Sequence, residues 1–222
     1  LEQLRHDVAD AAVRITAVVE RGDPAEAVVR TAATRHCDLI VTGLARDETL
    51  GRLGLGTTVT RLLRSAPAPL LIVKGRARAP YRKIVVGTDF SEPSQRALET
   101  ALRLFPGQPV TLFHAYDAPM ARIAGEGPRH VEAHRAIAED DLAAFLGAAP
   151  MTGEERARIE PLLERGNPRR LIQQYAHDRG VDLIVLGTHG RSGLLNVVLG
   201  STTRDVLSAL SCDALVVRHS TL

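Results

Sequence analysis

From Val181 to Thr203 the sequence reads "VDLIVLGTHGRSGLLNVVLGSTT". An unbroken apolar run leads into a segment carrying Gly187, Gly190, Gly193 and Gly200. A helix-like run, "STTRDVLSAL", follows from Ser201. A short run that is apolar throughout suits a strand buried on both faces, as in a parallel sheet. Strand, glycine-rich turn and helix in that order form the repeating unit of an open α/β sheet.

The same unit occurs twice. "VVERGDPAEAVVRTAATRHCDLIVTG" at 18–43 echoes "LLERGNPRRLIQQYAHDRGVDLIVLG" at 162–187. The pairs Gly22/Gly166, Asp38/Asp182, Gly43/Gly187, Gly56/Gly200 and Val73/Val217 all lie 144 positions apart. A constant offset over such a span marks an internal repeat. The section Tyr81–Ala144 has no earlier partner, so the first copy lacks about 64 residues at its front. The expectation is a partial first domain over 1–76 that holds only its last three strands. A linker at 77–82 and a complete domain over 83–222 follow. Gly75 and Pro80 among basic residues mark the linker region. Residues ahead of Leu1, or another chain, are expected to complete the first copy.

The complete copy reads as β-α-β-α-β-α-β-α-β. "KIVVGTDF" is strand one, and "SEPSQRALETALRL" is a helix with Ser91 as N-cap and Pro93 in its first turn. "VTLFHAY" is strand two, and "HVEAHRAIAEDDLAAFLGA" is a long helix. "RIEPLLERG" is strand three, with Pro161 pointing to a sheet edge. A helix begins at Asn167, "DLIVLGT" is strand four, and a last helix and "DALVVRH" complete the series. Alternation of this kind implies a doubly wound, Rossmann-like parallel sheet.

Composition narrows the function. The chain has 222 residues, 45% of them hydrophobic, with a net charge of +2 and interspersed signs. No basic face for nucleic acid stands out, and no apolar stretch reaches membrane-spanning length. Cys37 and Cys212 fit no metal or redox spacing and read as buried free thiols of a reducing compartment, the cytoplasm.

In doubly wound sheets ligands bind beyond the carboxyl ends of the strands, where strand order reverses. Two loops leave such ends with unusual chemistry. One holds Gly87, Thr88 and Asp89; the other runs from Gly187 to Ser201. Gly187 and Gly190 allow close backbone approach. Ser201, Thr202 and Thr203 open a helix whose free N–H groups suit phosphate oxygens. Asp89 suits ribose hydroxyls or an indirect contact to Mg²⁺. Together they suggest a nucleotide. Structural readings stand beside these: glycines that only shape a loop, Ser201 as a cap, Asp89 closing an Asx-turn. His189 and Arg191 read as loop residues able to reach phosphate, and no catalytic residue is assigned. There is no P-loop motif and no nucleophile elbow.

The spacing G-x2-G-x9-G-[ST], met by Gly187, Gly190, Gly200 and Ser201, together with "IVVGTDFSE" and "VTLFHAY", resembles the universal stress protein family in its tandem form. The resemblance implies an adenine nucleotide alpha hydrolase-like fold with strand order 3-2-1-4-5. It implies ATP, or ADP or AMP, as ligand. Gly87, Thr88 and Asp89 would meet adenosine, Ala115 would read adenine through its backbone, and Leu186 would pack beside it. Gly187, Gly190, Gly200, Ser201, Thr202 and Thr203 would hold phosphates. It also implies pairing through fifth strands, within the chain or in a homodimer, setting Leu71–Val73 against Leu215–Val217. The expected role is a nucleotide-binding regulatory protein of the stress response. The alternatives are a slow ATPase or nucleotidyl-transfer enzyme at the same site, or a scaffold with a vestigial site. In the first copy Arg46 stands where Gly190 stands in the second, and the partner of Asp89 is absent with the missing front.

Overall fold

A computed structural model of the chain describes residues 14–44, 55–75, 79–116, 128–188 and 201–218. The first half contributes α1 (Pro24–Thr34), β1 (Ile40–Gly43), α2 (Thr57–Ser65) and β2 (Leu70–Val73). The second contributes β3 (Ile84–Gly87), α3 (Glu92–Leu104), β4 (Val110–Tyr116), α4 (Pro128–Ala148) and a short α5 (Gly153–Ala157). It continues with β5 (Ile159–Arg165), α6 (Pro168–Arg179), β6 (Leu183–Gly187), α7 (Ser201–Ala209) and β7 (Asp213–Val217). Among the described residues the strands form one sheet in the order β1-β2-β7-β6-β3-β4-β5. Counted within the second half alone, this is the expected 3-2-1-4-5. Pro161 sits on the outermost strand, as expected of a residue with no N–H to donate.

The repeat extends to backbone detail. Asp23 caps α1 by accepting from the Glu26 N–H at 3.0 Å, and Asn167 caps α6 by accepting from the Arg170 N–H at 3.2 Å. Each cap is followed by proline, whose missing N–H costs nothing at a helix start. Gly22 and Gly166 both take positive φ before these caps. The helices end alike, with His36 at φ 51° and Gly180 at φ 59°.

Helices cover both faces. Leu183 and Val185 of β6 point to one face, where Leu98 and Ala101 of α3 and Phe145 of α4 pack. Ile184 and Leu186 point to the other, against Ile172 of α6 and Val206 and Leu207 of α7, and α1 and α2 continue that layer over the first half. Leu183, Ile184 and Val185 have no exposed surface. Burying each such side chain is worth about 1.5–3 kcal/mol.

Two expectations are corrected. The first half was expected to hold three strands, but residues 14–21, which align with β5, form no regular secondary structure. Val19 there is 94% exposed. The reason is pairing: β5 is held along its length by β4, from Val110↔Ile159 to Tyr116↔Arg165, and the first half has no copy of β4. β1 forms a sheet edge, with Val41 58% exposed, because its counterpart β6 is flanked on that side by β3 and no copy of β3 stands beside β1. The second correction concerns the thiols. Both are free, but Cys37 is exposed and Cys212 only half-buried. The counterpart of Cys37, Val181, is buried beside a turn in which the Asp182 and Leu183 N–H groups donate to the Lys83 carbonyl. The first half has no copy of β3, which Lys83 precedes, to cover Cys37.

The halves meet through antiparallel β2 and β7, with Leu70↔Val216, Leu71↔Leu215 and Ile72↔Ala214. This places the expected fifth-strand pairing inside the chain, over 70–72 and 214–216 where 71–73 and 215–217 were expected. Leu71 and Leu215 are themselves 144 apart, so a local twofold axis passes through that pair. One carboxylate fastens the chain on both sides of the crossing between the halves. Asp213 accepts from the Lys74 N–H at 2.7 Å and from the Tyr81 hydroxyl at 2.6 Å. Burial, then Asp213, push the Tyr81 phenol well above its ordinary range. Burial pushes the neighbouring Cys212 thiol up to about 11 and holds the Lys74 ammonium below its usual value, with Cys212 and Asp213 opposing the latter.

Candidate functional site

Strand order reverses between β3 and β6. From β3 the chain crosses to β4 on one side, while β6 and β7 continue on the other. The registers Gly87↔Phe113 and Val86↔Val185 put the carboxyl ends of β3, β4 and β6 on one rim. Gly87, Thr88 and Asp89, Ala115, and Leu186 and Gly187 therefore lie along that rim.

The β3 loop is built by its own polar groups. Thr88, 9% exposed, donates its N–H to the Phe113 carbonyl at 2.9 Å. Its Oγ1 accepts from the Phe90 N–H at 2.9 Å and lies 2.8 Å from Ser94 Oγ. Ser94 gives its only hydroxyl proton to the Ser91 carbonyl at 2.8 Å, so Thr88 is the donor between them. Both capacities of the Thr88 hydroxyl serve the turn. Asp89 Oδ1 accepts from the Ser91 N–H at 3.2 Å and Oγ at 2.5 Å, which is the Asx-turn reading realised on one carboxylate oxygen. Ser91 occupies the N-cap of α3, but its hydroxyl serves Asp89 and makes no cap bond.

Sequence reasoning missed Phe90 and His114. Phe90 takes φ 62°, a left-handed conformation that costs a side-chain-bearing residue about 1–2 kcal/mol. Its ring lies 4.2 Å from the His114 ring and 5.5 Å from that of Phe145, burying the aromatic surface behind the rim. His114 Nδ1 is 2.8 Å from the Thr88 carbonyl. A carbonyl only accepts, so Nδ1 carries the proton. An aromatic residue between Asp89 and Ser91 carries no sequence signal for positive φ.

The two strand-end glycines are explained by packing. A Cβ on Gly87 would sit 2.8 Å from Leu186 Cδ2, and one on Gly187 would sit 2.8 Å from the Pro93 carbonyl oxygen. The missing Cβ of Gly187 admits the first turn of α3. The Thr188 N–H donates to the Val217 carbonyl at 3.1 Å. Thr203 Oγ1 donates to the Gly187 carbonyl at 3.2 Å, drawing the start of α7 back onto the end of β6. Ser201 and Thr202 open that helix. Gly190, Gly200, His189, Arg191 and Arg46 lie outside the described residues. Ala115 is half-buried and packs on the same core as Leu186.

Among the described residues the rim thus carries the Asp89 carboxylate after β3 and, after β6, the first turn of α7. Among the described residues no cluster of three or more His, Cys, Asp or Glu is arranged for a metal, and no helix is long and apolar enough to cross a membrane.

A family model described as "Universal stress protein family" matches residues 1–74 and 80–218. The universal stress protein YxiE of Bacillus subtilis is 28% identical over 147 residues, covering 62% of this chain and 99% of that protein. The universal stress protein E homolog of Haemophilus influenzae is 25% identical over 224 residues, covering 91% of this chain and 69% of that protein. In fold the chain is similar to a crystal structure of a putative universal stress protein from Pseudomonas aeruginosa. The TM-score is 0.71 at 19% identity, covering 98% of this chain and 76% of that one.

Proposed function

The chain belongs to the universal stress protein family, and from that premise we propose that its second half binds an adenine nucleotide as a regulatory ligand in the stress response. The observation that carries this reading is the convergence of the Thr88–Asp89 loop and the start of α7 at the point where strand order reverses. The hydrogen bond from Thr203 to the Gly187 carbonyl holds that helix start at the rim.

In this reading Gly87, Thr88 and Asp89 face adenosine, with Asp89 accepting from ribose hydroxyls. The Ala115 backbone reads adenine and Leu186 packs beside it. Gly187, Gly190, Gly200, Ser201, Thr202 and Thr203 hold the phosphates. Helix N–H groups lack internal partners and carry partial positive charge, so no basic side chain is required. Asp89 is the candidate for an indirect Mg²⁺ contact. ATP is the ligand proposed, with the cytoplasm as the compartment. In the first half Arg46 stands in the place of Gly190, and no second working site is proposed there.

Gly190→Arg tests the phosphate assignment. The variant should lose ATP binding while its ligand-free stability changes by less than about 1 kcal/mol. Mass spectrometry of small molecules released from the purified parent should find an adenine nucleotide, and none from the variant. A variant that binds ATP as tightly as the parent contradicts the assignment.

A further inference from the structure

Lys74 belongs to the first half by sequence, directly after β2, yet its ammonium reaches into the second. It donates to the Leu207 carbonyl and to the Leu210 carbonyl, both at 2.7 Å. The last four carbonyls of a helix have no intrahelical donor, and those at the end of α7 would otherwise be unsatisfied at a half-buried edge. A cation there also opposes the negative end of the helix dipole. The contact has a counterpart across the local twofold axis. Arg218 Nη1 donates to the Ala66 carbonyl at the end of α2, at 3.3 Å. Arg218 and Ala66 are the positions 144 away from Lys74 and Leu210. Each half thus closes the last turn of the other half's final helix with a cation.

The two contacts differ in what lies at the opposite helix end. The N-terminal end of α7 is tied through Thr203 to the rim of the second half. We propose that Lys74 is a positioning residue for phosphate binding. The first half fixes the axis and polarity of α7 from its carboxyl end, and so sets the affinity of a nucleotide held at its amino end. This rests on the reading of the second half as the nucleotide site. The first half thereby supports the site from outside the domain that binds.

The measurement is isothermal titration of the full chain with ATP and, separately, with adenosine, which has no phosphates. Lys74→Met should weaken ATP about fivefold and leave adenosine within twofold of the parent. Lys74→Arg should restore ATP affinity, because arginine already makes the equivalent contact from position 218. Tyr81→Phe removes a hydrogen bond to Asp213 in the same junction without touching the carbonyls of α7; it should bind ATP like the parent. Should Lys74→Met fail to fold, Lys74→Gln, which keeps a donor and removes the charge, is titrated in its place and should weaken ATP in the same direction. Unchanged ATP affinity, parallel loss of ATP and adenosine, no rescue by arginine, or an equal loss in Tyr81→Phe each overturn the coupling while leaving the nucleotide reading intact. A parent that binds neither ATP nor adenosine overturns the nucleotide reading, and the coupling with it.

Discussion

At position 187 a β-carbon has nowhere to go. It would meet the Pro93 carbonyl oxygen at 2.8 Å and the Pro93 carbonyl carbon at 2.9 Å. These are backbone atoms in the first turn of α3, which cannot swing aside as a flexible side chain can. Gly187→Ala should therefore destabilise the ligand-free protein by about 2 kcal/mol, read as a lower urea midpoint at unchanged slope. This sets Gly187 apart from Gly190, whose replacement is expected to cost binding and little stability. The two glycines look alike in the sequence, as members of one spaced motif. Spacing does not reveal which neighbour fills the room a side chain would take. Asp89 shows the same limit. Its place at a strand end was legible, but its engagement with Ser91 depends on where the chain turns at Phe90.

Most elements were readable, because their signals are local. Asn167 followed by Pro168 opens α6, the apolar stripe of α3 faces the core, and β6 is buried throughout. The helix ends carry a finer difference. Gly180 leaves α6 in the left-handed conformation at no steric cost, while His36 leaves α1 in the same conformation with a side chain attached. His36→Gly should stabilise the protein by about 0.5–1 kcal/mol, the relieved strain being partly offset by the greater freedom of glycine in the unfolded chain. A raised thermal midpoint is the expected result, and a lowered one would mean that the His36 side chain makes a contact worth more than the strain. Residues 14–21 were not legible in this way. They match β5 in pattern, but a strand is a relation between two segments, and β4 has no copy in the first half.

Across the whole molecule, the sheet is continuous because β2 finds β7. Tandem organisation, sheet order and the edge-to-edge pairing of final strands followed from the repeat and the family resemblance. The cation exchange between Lys74 and Arg218 did not, because it links residues that are far apart in sequence and meet only after the halves dock. The halves remain unequal at their rims. In sequence the second carries Gly190 where the first carries Arg46. A bulky side chain in place of a glycine that approaches phosphate is expected to weaken a nucleotide there, and about 1.4 kcal/mol is tenfold in affinity. We propose one nucleotide site per chain, in the second half. Isothermal titration of the full chain with ATP tests it most directly: a stoichiometry near one, abolished by Gly190→Arg, is the predicted result, and a stoichiometry near two, or one that survives Gly190→Arg, would contradict it.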